Sequence, residues 1–414
     1  RKEETHELRL GVFFDGTKNN KNNIEARLEN KESFRKYNRS TSYHNDFSNV
    51  ARLWKFYEKE KDIYVDGVGT ESEKPDDGIS GSGLGTGPTG VPAKMKIGCE
   101  RVVEKTARYD KIRCLALDVF GFSRGAAAAR HFVHEISKEP NKAKNIPSWG
   151  YLGKLLVGKG IEVESLEIRF LGLFDTVSAY SAEFDATPDF SNDVEELQLN
   201  DIGKTFQIVQ FTAANEHRKN FALTRIPKQL PTHIGIEKEL PGEHCDIGGS
   251  HNDDLETVNE IETQWGWKKT DKLVRLKNQL VEEGWYTEGN LSIDEGITYS
   301  SLNGSRYVLK TYSYIPLHFM AELGIDKQEV PLDQESIKST YSIEESPLLQ
   351  RVEKRLRKYV FTAELGPYRY IPHSRAPEQR DLTKLRHMYL HWSSNYEGIV
   401  GVNAPAENRK RIEY

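Results

Sequence analysis

Three residues of the types that serine hydrolases use occur along the chain in the order serine, acid, histidine. Ser123 lies in the G-x-S-x-G sequence of residues 121–125, Asp175 follows the apolar stretch 166–174, and His244 lies in PGEHCDIGG. This is the chain order of α/β-hydrolases. In such a triad the histidine takes the serine proton and later returns it to the leaving group, while the acid holds the imidazole in one tautomer. The sequence therefore predicts acyl transfer, with Ser123, Asp175 and His244 as catalytic residues.

The segments on both sides of Ser123 favour a nucleophile over a serine with a purely local role. Residues 112–120 have the length and composition of a buried strand, and residues 126–137 are an alanine-rich stretch typical of a helix. A strand, a tight turn through two glycines and a helix are the context that a nucleophile elbow requires. The backbone N–H of Arg124 would then lie at a helix N-terminus and face a developing oxyanion.

A second oxyanion donor is predicted after the first strand. Residues 8–14, LRLGVFF, form that strand, and a Gly- and Asn-containing loop begins at Asp15. Ligands of open α/β sheets bind at the carboxyl ends of the strands. The backbone N–H of Gly16 or Thr17 would therefore complete the oxyanion hole. The alternative is an ordinary turn in which Asp15 is a cap.

Further strands and helices alternate along the first 250 residues. Strands are predicted at 62–68, 207–211 and 233–239, and helices are predicted at 49–57, 91–109 and 213–221. Such alternation indicates a mostly parallel, doubly wound α/β sheet of the α/β-hydrolase type. The glycine-rich loop 78–90 lacks the Gly-Lys-Ser/Thr ending of a P-loop, so we interpret it as a rim of the active site.

The regular alternation of predicted strands and helices ends near residue 255, which suggests a division of the chain. We predict a hydrolase core at 1–254, an inserted lid, cap or partner-binding region at 255–380, and a return to the core at 381–414. A lid with exposed apolar residues, such as those of segment 315–319, would favour a substrate at an interface.

Other histidines and acids leave two alternatives open. His391 is a possible alternative catalytic histidine, since many hydrolases keep theirs near the C-terminus, whereas His217 is interpreted as structural. A metal site is the second alternative, because mixed imidazole and carboxylate ligands suit several divalent ions. Its candidate ligands, whose spacing matches no standard pattern, are His244, Asp246, His251, Asp253 and Asp254. We expect no cofactor and no metal to take part in the reaction.

The composition of the chain indicates which partners and which cellular compartment to expect. The 414 residues include 58 Lys and Arg against 63 Asp and Glu, with no basic stripe, so nucleic acid is not an expected partner. Three widely spaced cysteines give neither a disulfide framework nor a zinc pattern, which indicates a reducing cytosol. The polar N-terminal sequence is not a signal peptide, so export is expected to use another route.

An ordered set of motifs resembles the bacterial type VI secretion phospholipase effectors of the G-x-S-x-G branch. The motifs are FFDGTKNN, SNVARLW, DGVGT, the glycine loop, DVFGFSRGAAAAR, LFDTV, PGEHCDIGG, TYSYIPLHFM and YLHWSS. The resemblance implies an α/β-hydrolase that cleaves acyl esters of membrane phospholipids in a rival bacterium. It also implies delivery by a secretion spike protein, action in the periplasm or membrane of the target cell, and a cognate immunity protein in the producer.

Two other functions compete with this interpretation. One is a general serine esterase or lipase that acts on esters outside membranes. The other is a binding module on a hydrolase scaffold without catalysis, because fold alone does not establish function. The presence of serine, acid and histidine together argues against the second of these.

Overall fold

A parallel six-stranded sheet organises the molecule, as seen in a computed structural model of the chain. The structure describes residues 3–77, 87–141, 147–178, 194–266, 270–362, 364–397 and 403–414. The strand order is β2-β1-β3-β4-β5-β6, and all neighbours are parallel. The strands are β1 (Glu3–Phe14), β2 (Asp62–Val65), β3 (Tyr109–Phe122), β4 (Glu162–Phe174), β5 (Thr205–Ala213) and β6 (Gly235–Leu240).

Helices cover both faces of this sheet, as a parallel sheet requires. Those of the first half are α1 (Lys21–Leu28), α2 (Glu32–Tyr37), α3 (Thr41–His44), α4 (Asn49–Lys55), α5 (Val91–Thr106), α6 (Arg124–Ile136) and α7 (Gly150–Gly158). Helices α5, α6 and α7 pack together over one face, where the small side chains of residues 126–129 bring α6 close to the strands. Helix α4 lies on the other face. The mostly parallel α/β fold predicted from the sequence is thus confirmed.

The second half of the chain adds a small antiparallel sheet and more helices. Strands β7 (Asp254–Trp265), β8 (Leu291–Glu295) and β9 (Tyr299–Val308) pair in the order β7-β9-β8. The helices are α8 (His244–Gly248), α9 (Asp271–Glu282), α10 (Tyr314–Gln328), α11 (Gln334–Thr340), α12 (Pro347–Val360) and α13 (Pro377–Tyr389). The division of the chain at 254 and 380 stays a prediction.

Helix α10 corrects the expectation of exposed apolar residues in segment 315–319. Ile315, Leu317 and Phe319 are fully buried, because α10 packs on strands β4 and β5 and on α4. This helix is therefore part of the layer that covers the parallel sheet. The exposed large apolar residues of this half of the chain include Leu255, Trp265, Ile297 and Tyr307. None of the helices in the described ranges combines the length and the apolar character needed to cross a bilayer.

Two helices differ between the sequence prediction and the structure. The helix predicted at 213–221 is absent, because the backbone N–H groups of Ala214 and Asn215 donate to the carbonyls of Leu240 and Gly242 and extend the β5–β6 pairing. Helix α7, by contrast, is present in the structure but is not among the helices that the sequence predicts. The glycine loop 78–90 lies mostly outside the described residues, and the structure leaves its predicted role untested.

Candidate active site

Ser123 occupies a sharp turn between β3 and α6. Its backbone has φ 58° and ψ −128°, a conformation that non-glycine residues rarely adopt and that stores strain. The flanking glycines allow the close packing around this turn. A Cβ on Gly121 would lie 2.5 Å from Ala126 Cα, and a Cβ on Gly125 would lie 2.1 Å from the Asp15 carbonyl oxygen. The G-x-S-x-G sequence therefore forms the strand–turn–helix elbow that its flanks predicted.

The pairing of β3 with β4 places Ser123 beside Asp175. Phe122 and Phe174 are register partners at the ends of these strands, and the next residues of the two strands are Ser123 and Asp175. The Ser123 N–H donates to the Phe174 carbonyl at 3.1 Å, and the Val177 N–H donates to the Ser123 carbonyl at 3.3 Å. The serine and the acid are thus fixed to each other through backbone bonds at the carboxyl edge of the sheet.

His244 reaches Asp175 from the far side of β5. It follows β6 at the start of α8, and its Nδ1 lies 2.6 Å from Asp175 Oδ2. The buried imidazole lies between the rings of Phe122 and Phe221, at centroid distances of 4.7 and 5.0 Å. Within the described residues, its hydrogen-bonded side-chain partner is Asp175, and no bond joins it to the Ser123 hydroxyl. Catalytic contacts of this kind often tighten only in the substrate complex.

Arg411 is a component of this site that the sequence interpretation missed. Its Nη1 and Nη2 each donate at 2.7 Å to one oxygen of Asp175, and its Nε donates to the Phe221 carbonyl. The Ala213 N–H adds a further bond to Asp175 Oδ1. Nothing in the local sequence around position 411 signals the contact, because it joins residues 236 positions apart.

These partners decide the charge of the buried acid. Burial alone would raise the pKa of Asp175, because it disfavours the charged carboxylate. The charge of Arg411 and the hydrogen bonds from His244 and Arg411 outweigh this effect and hold the pKa well below its usual range. Asp175 is therefore ionised at neutral pH, as an acid that orients an imidazole must be.

The predicted oxyanion donors lie around the elbow, but they are not equivalent. The Gly16 N–H already donates to its neighbour Asp15 Oδ1 at 2.7 Å. Thr17 contacts the elbow directly, since its Oγ1 accepts a bond of 2.7 Å from Arg124 Nε. Arg124 is the first residue of α6, as predicted. The geometry therefore favours Thr17 over Gly16 as the partner of Arg124.

Asp15 is a buried hydrogen-bond centre and not a simple turn cap. Its oxygens also accept from the hydroxyls of Ser48 and Tyr64. Burial raises the pKa of Asp15 to about 6, although the hydrogen bonds from Ser48, Tyr64 and Gly16 act in the opposite direction. This network anchors the loop after β1 on which Thr17 lies.

The alternative catalytic histidine lies outside the triad. His391 Nδ1 is 2.7 Å from Asp246 Oδ1, and the His391 ring stacks on His251 at 3.7 Å. His217 is partly buried and packs edge-on against the Trp392 ring at a centroid distance of 4.9 Å, as its structural interpretation predicts. Burial also raises the pKa of the Cys245 thiol well above its usual value, which argues against a thiolate nucleophile.

The candidate metal ligands separate in the structure. His244 faces Asp175, and Asp253 and Asp254 accept backbone bonds from Lys310 and Leu255. Asp246 and His251 lie together, and they are joined by two residues that the sequence interpretation did not include, Glu243 and His391. Glu243 lies in the motif PGEHCDIGG, close in sequence to Asp246 and His251. His391 is distant in sequence, and only the folded chain brings it to these three residues.

Comparison with known proteins agrees with the motif resemblance. Residues 154–269 match the family model described as type VI secretion phospholipase effector Tle1-like, catalytic domain. This match confirms the resemblance over those residues, which include Asp175 and His244. No curated protein sequence matches the chain.

One solved structure shows the same fold. A chain described as the Tle1 effector bound to the VgrG spike from the type 6 secretion system aligns with a TM-score of 0.63 and 21% identity, over 100% of this chain and 94% of that one. A second chain, an uncharacterized protein from Pseudomonas aeruginosa, aligns with a TM-score of 0.44 and 17% identity, over 92% of this chain and 53% of that one. Only the first supports the assignment of the fold.

Proposed function

We propose that the chain is a phospholipase effector that hydrolyses acyl esters of membrane phospholipids with Ser123, Asp175 and His244. The observation that carries the proposal is the 2.6 Å contact between His244 Nδ1 and Asp175 Oδ2, beside a strained serine elbow at the same sheet edge. The match of residues 154–269 to the phospholipase effector model supports the substrate class.

In the proposed reaction, the Ser123 oxygen attacks the acyl carbon while His244 Nε2 accepts the hydroxyl proton. Asp175 holds the Nδ1 proton and stabilises the imidazolium that forms. His244 then gives the proton to the departing lysophospholipid or alcohol oxygen. Water attacks the acyl-enzyme in the second half, with His244 again as the base, and the fatty acid leaves.

The developing oxyanion needs donors that are in place before the reaction. We assign these to the backbone N–H groups of Arg124 and Thr17. Support comes from the contact of the Arg124 guanidinium with Thr17 Oγ1, which fixes the two segments to each other. Gly16, the other predicted donor, is occupied by Asp15.

Delivery and target follow from the family resemblance. The family model names type VI secretion, and the structural neighbour of the same fold is described as bound to a VgrG spike. We therefore propose a spike protein as the delivery partner and the membrane of a target cell as the place of action. A cognate immunity protein in the producing cell is proposed on the resemblance alone.

A general esterase for esters outside membranes is the alternative. The burial of Ile315, Leu317 and Phe319 removes one reason to expect an interfacial lid. The two functions use the same triad and differ only in the aggregate state of the substrate.

Ser123→Ala is the test of the chemistry. The variant should lower the hydrolysis of phospholipid vesicles by roughly 10³-fold or more, because triad residues act as a unit. Ser137→Ala is the matched control, since Ser137 ends the same helix and its buried hydroxyl has no hydrogen-bond partner among the described residues. Equal turnover of Ser123→Ala and wild type would exclude the triad. Rapid turnover of a short-chain soluble ester, with none of vesicles, would favour the alternative.

A further inference from the structure

Four side chains with metal-binding atoms form a compact cluster next to the candidate triad. They are Glu243, Asp246, His251 and His391, and one nitrogen or oxygen atom from each lies within 4.8 Å of the corresponding atoms of the other three. Two ligands of one ion can be separated by at most about 4.0 to 4.8 Å, because metal–ligand bonds are about 2.0 to 2.4 Å long. The four atoms thus lie within the span of a single coordination sphere.

The cluster is assembled from two distant parts of the chain. Glu243 directly precedes α8, Asp246 lies in α8, and His251 follows that helix. His391 comes from the segment after α13, and its backbone N–H donates to Asp246 Oδ2 at 3.0 Å. The rings of His251 and His391 are stacked and present nitrogens to the two carboxylates. The fold therefore brings together four donors from two distant segments of the chain.

The charges of the cluster call for a cation. Two carboxylates, Glu243 and Asp246, are almost fully buried and belong to one turn of chain. Arg218 contacts only one of them, with its Nη2 at 3.2 Å from Glu243 Oε2, and it also pairs with the buried Glu216. Adjacent buried carboxylates repel each other unless a positive charge lies between them. A divalent ion or a protonated imidazole can supply that charge, and protonation of one carboxyl group would remove the repulsion instead.

We propose that Glu243, Asp246, His251 and His391 bind one divalent transition ion of the zinc class. The donor set selects this class, because imidazole suits zinc and its first-row neighbours, whereas calcium and magnesium prefer oxygen ligands alone. The hydrogen bonds that the carboxylates accept from the N–H groups of Glu243, Cys245 and Asp246 fix their orientation, as outer partners of metal ligands do.

The ion has a positioning role in this arrangement. His244 lies between two of the four ligands in the sequence, so the ion holds the turn from which the imidazole reaches Asp175. Within the described part of the chain, none of the four ligands is hydrogen-bonded to Ser123 or Asp175. The proposal does not depend on the hydrolase function, since it concerns binding and stability.

The experiment is a zinc titration of the full chain after dialysis against a chelator, followed by calorimetry, metal analysis and thermal unfolding. Wild type should bind one Zn²⁺ per chain and gain several degrees in Tm, while Ca²⁺ at the same concentration should give no shift. His251→Gln should weaken zinc binding by about 10-fold or more, since it removes one ligand at a half-exposed position.

His373→Gln is the matched control. His373 forms an exposed histidine–carboxylate pair with Glu282 on the surface, and its loss should leave zinc binding unchanged. Wild type that binds no zinc, or an unshifted Tm, would overturn the proposal in favour of a protonated imidazole network. Equal zinc affinity of wild type and His251→Gln would mean that the ion binds elsewhere. A Tm shift with Ca²⁺ as large as that with Zn²⁺ would overturn the assignment to an ion of the zinc class. If His251→Gln fails to fold, the wild-type titration alone decides.

Discussion

Arg411 forms a two-bond ion pair with Asp175, in which each guanidinium Nη lies 2.7 Å from one carboxylate oxygen. The pair is almost fully buried, and the C-terminal segment that carries Arg411 is held by pairing with residues 223–225. Asp175 therefore has two side-chain partners, His244 on one oxygen and Arg411 on both, in addition to the backbone N–H of Ala213. We infer that Arg411 is a positioning residue, which fixes the acid that orients the imidazole.

Replacement of Arg411 by methionine should change the pH profile as well as the rate. The folded state holds the pKa of Asp175 below its usual value, so the acid stays ionised and its stabilising bonds are lost only as the pH falls through that lowered pKa. Without Arg411, burial should raise this pKa. We expect kcat/KM to fall by about 10-fold or more, or about 1.4 kcal/mol, and the loss of activity at low pH to begin at a higher pH.

The control for Arg411→Met is Glu413→Gln. Glu413 pairs with Arg225 and helps to hold the same C-terminal segment, but it does not contact Asp175. Rate measurements across pH on both variants separate the two effects. A shift of the acid limb in Glu413→Gln as large as that in Arg411→Met would mean that attachment of the segment matters, and not the charge beside Asp175.

The two candidate histidines should differ sharply in their effect on turnover. His244→Gln should reduce ester hydrolysis by roughly 10³-fold or more, since His244 is the imidazole that contacts Asp175. His391→Gln should keep measurable turnover and show its effect mainly as a lower Tm, because His391 contacts Asp246. Steady-state kinetics and thermal unfolding of both proteins give the comparison. Near-normal kcat in His244→Gln would contradict the assignment.

The elbow glycines give a prediction about stability. A Cβ at Gly125 would lie 2.1 Å from the Asp15 carbonyl oxygen and 2.5 Å from that of Phe14, both of them backbone atoms that cannot move independently. Gly125→Ala should therefore destabilise the fold by more than about 2 kcal/mol. At Gly158, the last residue of α7, an added Cβ would have no neighbour within 4 Å.

Gly158→Ala is for this reason the control, and it should be neutral or slightly stabilising, by up to about 1 kcal/mol. Chemical denaturation of both variants measures the difference. The explanation of the elbow by close backbone approach fails if Gly125→Ala is as stable as Gly158→Ala.

The features that the sequence predicted well depend on local patterns. The strand before Ser123, the turn and the helix after it are contiguous, so their composition and spacing report the elbow directly. The same holds for the strand before Asp175. The apolar character of segment 315–319 is also evident in the sequence, but composition alone could not show whether that segment covers the sheet or is exposed.

The features that the sequence could not predict are contacts between distant segments. Arg411 reaches Asp175 only because the C-terminal segment pairs beside residues 223–225. His391 approaches Asp246 because the segment after α13 lies beside α8, and neither contact leaves a local signal. The wrong helix at 213–221 has a related cause, since hydrogen bonds to residues after β6 override the helical pattern there.

The proposed function predicts toxicity in one compartment of a bacterial cell, the periplasm. A net formal charge of −5 gives little electrostatic attraction to an anionic membrane, so binding must come from apolar surface near the site. With a periplasmic signal attached, the wild type should be toxic to a bacterial host, because the triad then faces a bilayer that it can attack. Ser123→Ala with the same signal should be harmless, and both proteins should be tolerated better in the cytosol. Growth curves test this toxicity in four strains, which carry wild type or Ser123→Ala, each with and without the signal. Ser137→Ala is the folded control. Equal toxicity of wild type and Ser123→Ala in the periplasm would assign the harm to binding or misfolding, and the antibacterial phospholipase would have to be abandoned for a non-catalytic module.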